Sequence, residues 1–223
     1  MLLYDLAGAD ERLRWSPFCW RVKLALKHKQ LPYDTVPWHY FQKDLIAPSG
    51  HGAVPVLVVG DRYLADSWEI AEHLEAAHPH RRPLFREPAP HALTLFIKHW
   101  VEAEVHAHLR HLTMLDMLRL LDPRDQAYFR TSREQVFGQP LEAFCADRAH
   151  HRQQLQRSLD PARRLLLAHP FLCGTEPGFG DHLLLSALLW GWLACGEELL
   201  APDDPVARWR DGLMRHYEIS LSP

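Results

Sequence analysis

Several patterns are absent from these 223 residues, and each absence removes a class of protein. The four cysteines, Cys19, Cys145, Cys173 and Cys195, lie far apart and form neither a C-x-x-C pair nor a zinc-finger spacing. They read as reduced thiols of a cytoplasmic protein. The longest apolar stretch, around Leu183–Cys195, is shorter than the roughly 20 residues a membrane-spanning helix needs. The N-terminal MLLYDLAGADERLRW has no basic region followed by a long apolar stretch, so no signal peptide is expected. Long basic runs are also missing and the formal charge is −3, which argues against nucleic acid or an anionic membrane as partner. Neither an internal repeat nor a low-complexity segment occurs.

What remains is ordinary globular composition. Hydrophobic residues make up 47% and charged residues 24%, enough for a core without disulfide staples and with little disorder. The length suits one large domain or two small ones. Up to about residue 78 the pattern alternates between strand and helix. Leu2–Leu6 is a run of strand length, and Phe18, Val22, Ala25, Leu26 and Lys29 follow helical spacing. Pro32–Pro37 is a second strand candidate. Val54–Val59 is β-branched and is followed by the turn signal Gly60-Asp61 and by Arg62–Ala65. This is α/β order, strand–helix–strand then strand–strand–helix. The prolines at 79, 83, 88 and 90 mark a linker over 79–90. Beyond it the pattern predicts helices over about 91–121, 125–136, 140–168, 179–199 and 204–217, hence an all-helical domain over 91–223.

Three short segments carry chemistry. Ser16-Pro17-Phe18-Cys19 stands between the first strand and the first helix. Ser as N-cap and Pro at the first helical position explain the pair locally. Thioredoxin-like folds, however, place a C-x-x-C pair at this turn, where the helix dipole favours a thiolate. With serine in the first position, the anionic sulfur has to arrive on a ligand, and the hydroxyl can donate a hydrogen bond to it. Pro55 opens an otherwise β-branched strand; an edge-strand proline explains it, as does a cis peptide that lets Val54 pair with an extended peptide ligand. Asp66-Ser67-Trp68-Glu69 follows a strand and opens a helix. It reads as a capping box, and equally as a site where Ser67 and free amides take a carboxylate while Asp66 receives an α-ammonium.

In this order and spacing, S-P-x-C near 16, V-P near 54 and D-S near 66, the chain resembles the cytosolic glutathione transferase superfamily. Phe171-Leu172-Cys173-Gly174 and Gly178-Phe179-Gly180-Asp181 look like that family's buried N-capping box, with Gly178 where Ser, Thr or Asn is usual; Asp181 then serves folding. Ser16–Lys23, Asp66–Leu74 and Tyr128–Glu134 are similar to the bacterial β-etherase-like branch. The resemblance implies a thioredoxin-like domain over 1–78 followed by a helical-bundle domain, with glutathione as co-substrate, no metal, and a homodimer. It implies that Ser16 orients the glutathione sulfur, that Val54 binds its backbone, and that Asp66 and Ser67 hold its γ-glutamyl end; Phe18 and Pro55 are counted among the glutathione-binding residues. His39, Gln42, Lys43 and His51 are the candidates for the glycyl carboxylate, with His51 ranked first only by its nearness to Val54-Pro55. The electrophile side is assigned to Trp15, His108 and Leu112, the last two on a helix expected to face the α/β domain.

The implied activity is conjugation of the glutathione thiolate to a small, aromatic electrophile, with ether cleavage as a variant and detoxification as its setting. A non-catalytic glutathione or aromatic-ligand binder is the alternative. A glutathione-dependent thiol reductase is disfavoured because position 16 lacks the cysteine. The sixteen histidines raise a metal site, since His99, Glu102, His106, His108 and His111 crowd one helix. No H-E-x-x-H or similar motif appears, and they read as a polar or half-buried helix face. Cys19, one turn into the first helix, reads as an inert packed thiol.

Overall fold

Burial of Leu3 and Leu6 on opposite faces of β1 (Leu2–Leu6), and of Val56 and Leu57 on opposite faces of β3 (Val56–Val59), places both strands at the centre of a four-stranded sheet. The computed structural model describes residues 1–85 and 90–221. The strand order is β2-β1-β3-β4, with β2 spanning Asp34–Trp38 and β4 Arg62–Ala65. β1 runs parallel to β2 and antiparallel to β3, and β3 pairs antiparallel with β4. A parallel pair needs a crossover, and α1 (Pro17–His28) supplies it. α2 (Ser67–Ala77) follows β4 directly. The result is a thioredoxin-like α/β unit.

The strand expected over 54–59 begins at Val56, because Pro55 has no N–H to give the ladder; the Val54-Pro55 peptide is cis. The strand expected over 32–37 is shifted to Asp34–Trp38, where Trp38 is fully buried opposite Leu6. Between β2 and β3 lies a 3-10 segment, Tyr40–Ser49, ended by Gly50 with φ 71°. Of the proposed linker, residues 86–89, including Pro88, lie outside the described residues.

The helical unit starts with α3 (Pro90–Trp100). The single run expected over 91–121 contains one turn of π-helix, Val101–Val105, before α4 (His106–Leu120). The wider turn rotates the faces on either side of it, and Glu102 within it reaches Arg21 of α1 at 2.8 Å. α5 (Pro123–Phe137) follows, capped by Asp122. The run expected over 140–168 divides into α6 (Leu141–Phe144), α7 (Arg148–Ser158) and α8 (Asp160–Leu166). Asp147 caps α7, and Pro161 can only stand in a first turn, so helix starts are written inside that run. α9 (Phe179–Cys195) ends at Gly196, whose φ of 65° stops the helix short of the expected 199. α10 (Pro205–His216) closes the unit.

α9 is buried over almost its full length, and α1 packs against it. The junction carries a polar chain: the Tyr217 hydroxyl lies 2.9 Å from His28 Nδ1 and 2.9 Å from His182 Nε2, while His28 Nε2 meets the Pro83 carbonyl at 3.1 Å. Asp181 is fully buried in the first turn of α9. Its carboxylate accepts from the amides of Leu172 (2.7 Å), Cys173 (3.1 Å) and Gly178 (3.1 Å) and from Trp209 Nε1 (3.1 Å). Glycine at 178 also has a steric reason: a Cβ there would sit 3.0 Å from the Leu84 carbonyl oxygen and 3.0 Å from Cys173 Sγ. The helix therefore forgoes a side-chain cap and relies on the Asp181 half of the box.

Replacing Asp181 by Ala strands those donors in the core, so the loss of unfolding free energy is expected to be about 3 kcal/mol or more, measured by urea denaturation. A second expectation concerns pH. Burial holds both His106 and His182 well below the ordinary value of 6.5. Unfolding releases them, so in acid the unfolded chain binds protons that the folded chain refuses, and stability rises with pH through that range. Urea midpoints measured from about pH 8 down to about pH 5 are expected to fall, and His182→Gln is expected to reduce that slope.

Candidate active site at the start of the first helix

The loop from Ala7 to Ser16 is anchored at both ends. The Ala7 amide donates to the Trp38 carbonyl (2.9 Å) and the Ala9 amide to the Leu120 carbonyl (2.8 Å), which ties the loop to the sheet and to the end of α4. It delivers Ser16 as N-cap of α1, where the Cys19 amide donates to Ser16 Oγ at 3.3 Å. Ser16 is buried, and so is Cys19 behind it. Burial pushes the Cys19 thiol far above its ordinary value, with the nearby Asp5 carboxylate adding to the shift.

Ser16 opens on a cavity of about 360 Å³ between the two units. From the α/β side come Leu6, Pro17, Phe18, Trp38, Tyr40, Ala53 and Val54. From the helical side come His106, Arg110, Met114 and Met117 of α4, Arg133, Val136 and Phe137 of α5, and Trp190 of α9. The walls are thus chiefly aromatic and thioether, with a few polar groups, as small-molecule sites are.

Specific ties hold these walls. Asp125, buried in the first turn of α5, accepts from the amides of Tyr40 (3.0 Å) and Phe41 (2.9 Å), so the helical unit fixes the segment that carries Tyr40. Burial raises the Tyr40 phenol above its usual value. His106 is 1% exposed, packs edge-on against Trp190 and Phe18, and has an Nε2 with no hydrogen-bond partner. Burial, with the charges of Arg21 and Arg110 added, keeps that imidazole neutral. Phe18 in turn lies under the Arg21 guanidinium at 4.7 Å.

Of the residues singled out in the sequence, Ser16, Phe18 and Val54 line this cavity. Pro55 is buried just behind Val54. Asp66 and Ser67 stand beside the cavity rather than in its wall. Val56 pairs with Ala65, so Val54-Pro55 and Asp66-Ser67 flank the same end of the β3–β4 hairpin. Asp66 Oδ1 accepts from the amides of Trp68 (2.7 Å) and Glu69 (3.2 Å), which leaves the Ser67 hydroxyl, rather than those amides, for a ligand. Asp66 has φ 65°, a conformation costly for a residue with a Cβ and one that functional sites often retain. His51 is exposed, two residues before Ala53.

The three residues assigned to the electrophile side are placed elsewhere. Trp15 is fully buried under the β1–α1 loop, where a Cβ on Gly8 would meet its ring at 2.7 Å; the glycine makes the room it occupies. His108 faces His151, with the two Nδ1 atoms 3.1 Å apart, and His111 stacks on that same ring. Leu112 is buried, and its carbonyl accepts from Arg148 at 2.5 Å. At roughly 100° per residue, His108 lies about 200° around α4 from His106, on the face that meets α7. The stripe His106, Arg110, Met114, Met117 has helical spacing and was legible as a face; the sequence did not say which face looks at Ser16.

Comparison with known proteins agrees with this architecture. The family model described as glutathione S-transferase, N-terminal domain, matches residues 12–83, and that described as glutathione S-transferase, C-terminal domain, matches residues 92–222. The chain is 32% identical over 98 residues to glutathione S-transferase U2 of Arabidopsis thaliana, a match spanning 40% of this chain and 41% of that protein. Glutathione transferase GSTFuA3 of Phanerochaete chrysosporium superposes with a TM-score of 0.86 at 24% identity, covering 99% of this chain and 98% of that one. A glutathione S-transferase of Ceriporiopsis subvermispora, solved with glutathione, gives 0.83 at 20% identity over 100% and 99%. Glutaredoxin 2 of Salmonella typhimurium, also solved with glutathione, gives 0.73 at 18% identity over 98% and 96%. Two domain models covering nearly the whole chain, on a fold with these two units, establish that the protein belongs to the glutathione S-transferase family.

Proposed function

We propose that this protein is a serine-type glutathione transferase, in which Ser16 stabilises the glutathione thiolate for attack on a small aromatic electrophile. The observation that carries the proposal is the placement of the Ser16 hydroxyl at the N-terminus of α1, in the wall of an apolar cavity. The positive end of the helix and a hydrogen bond from the hydroxyl both favour an anionic sulfur there. Glutathione lies along Val54 and Pro55 with Phe18 beside it, its γ-glutamyl group at Asp66 and Ser67 and its glycyl carboxylate toward His51. The domains follow as 1–78 for glutathione, 79–90 as linker and 91–223 for the electrophile.

The thiolate attacks carbon, forming a C–S bond as halide, epoxide oxygen or ether oxygen departs. The likeness to β-etherase-like sequences favours an activated ether among these. A fold shared with a glutaredoxin leaves thiol reduction as a rival, and the burial of Cys19, with its raised pKa, speaks against it.

The proposal includes a homodimer in the cytoplasm. Leu93 and Phe96, one turn apart on α3 and 62% and 70% exposed, form an apolar pair that a partner subunit would cover. Phe96→Glu is expected to shift sedimentation from dimer to monomer; a wild type that is monomeric at all concentrations removes this part of the proposal.

Titrating the ultraviolet thiolate absorbance of bound glutathione tests the chemistry. The thiol is expected to ionise below its free value of about 8.5, and Ser16→Ala is expected to return it toward that value. The same substitution is expected to lower kcat/KM about 10- to 100-fold, the worth of one charge-assisted hydrogen bond. Saturable binding with an unshifted thiol in the wild type would instead favour a non-catalytic binder.

A further inference from the structure

The cavity that faces Ser16 carries an unbalanced charge. Arg110 of α4 and Arg133 of α5 both line it, and among the described residues no Asp or Glu does. The acids on the two helices that bear these arginines are all engaged elsewhere. Asp116 pairs with Arg119 (3.1 Å) and Arg148 (2.9 Å). Asp125 is taken by the Tyr40 and Phe41 amides, Glu134 pairs with Arg130 at 2.9 Å, and Asp122, the cap of α5, pairs with Arg124 at 2.9 Å. Among the described residues neither Arg110 nor Arg133 has an ion pair; Arg133 only leans over the Phe129 ring at 5.1 Å. The other titratable groups in the wall do not offset them, because burial keeps His106 neutral and Tyr40 protonated.

We infer that the electrophile is an aromatic molecule bearing a carboxylate, which the Arg110 and Arg133 guanidinium groups bind while the ring packs among Phe18, Trp38, Met114 and Trp190. This deepens the transferase reading and rests on it. A glutathione thiolate at Ser16 offsets one of the two positive charges, and a carboxylate on the electrophile offsets the other. The orientation follows from burial. Ser16 is buried, whereas Arg110 is exposed and Arg133 half-exposed, so the acidic end stays near water and the leaving group is presented to the sulfur. Guanidinium is the cation suited to this task, since it binds carboxylate in a fork and also lies flat on aromatic faces.

The test separates binding from turnover. Calorimetry on the full chain compares unreactive dinitrobenzoate with neutral dinitrobenzamide, first alone and then with glutathione saturating. The acid is expected to bind about tenfold more tightly than the amide, and added salt is expected to erode the difference. The Arg110→Gln, Arg133→Gln double variant is expected to bring the ratio to about one, and the double Lys variant to restore part of it. Turnover then compares chlorodinitrobenzoate with its carboxamide, each divided by the uncatalysed rate with free glutathione. In both reactions the glutathione thiol proton goes to solvent, a C–S bond forms, and chloride leaves with the C–Cl electrons. The same preference, carried mainly in KM, is expected. Equal affinities in the wild type, or a preference that survives in the double Gln variant, overturn the inference. A preference seen alone but abolished by bound glutathione also overturns it, because the arginines would then serve a carboxylate of glutathione itself. Failure of the transferase reading looks different: neither chloro compound turns over, while the calorimetric preference without glutathione still decides whether the arginines select acids.

Discussion

Everything at the site depends on α1 being held rigidly between the sheet and the helical unit. The helix is buried on nearly all sides, yet it carries Arg21, Lys23, His28 and, at its end, Lys29, all inaccessible to solvent or nearly so. Each finds a partner on a different element: Arg21 on Glu102 of the π turn, Lys23 on Asp5 of β1 at 2.9 Å, His28 on Tyr217, and Lys29 on Glu75 of α2 at 2.6 Å. Buried ion pairs add little net stability, because desolvation cancels most of their attraction. Their effect here is positional. A shift of α1 by one turn would leave several buried charges unpaired, so the helix has one allowed place, and Ser16 at its start has one as well.

The same logic joins the two units. The Asp125 contacts to the Tyr40 and Phe41 amides, the Arg21–Glu102 pair and the His28–Tyr217–His182 chain cross the boundary at separate points. The cavity lies among these ties, with one wall from each unit. Its apolar lining is therefore built from side chains remote in sequence, Trp38 and Trp190 for example, that neither unit brings together alone.

Chemically, the site divides its labour. In the proposed reading, one small hydroxyl at a helix N-terminus deals with the sulfur, and an aromatic and thioether surface deals with a ring. Arg110 and Arg133, which also line the cavity, are exposed and half-exposed, whereas Ser16 is buried. A sulfur nucleophile in the proposed reaction requires only a modest donor, and not a strong base. Cys19, three residues after Ser16, is kept protonated by burial.

The amino-acid sequence by itself determined the order of strands and helices, the Ser16 turn, the hairpin at Gly60 and the start of α9, because caps, prolines and periodicity act over a few residues and leave local signatures. It also marked Val54-Pro55 and Asp66-Ser67 as unusual, since proline in a strand and an acid before a helix stand out against their neighbours. What only the tertiary structure decided was which faces meet. His108 and Leu112 sit on the same helix as His106 and Arg110, and periodicity weighs both faces of α4 alike. The choice between them was made by packing against α7 and α9, and by Gly8, whose missing Cβ lets Trp15 sink into the core and out of the site. The π turn at Val101–Val105 and the seat of Asp125 under Tyr40 belong to the same category, since both answer a partner far away in the chain.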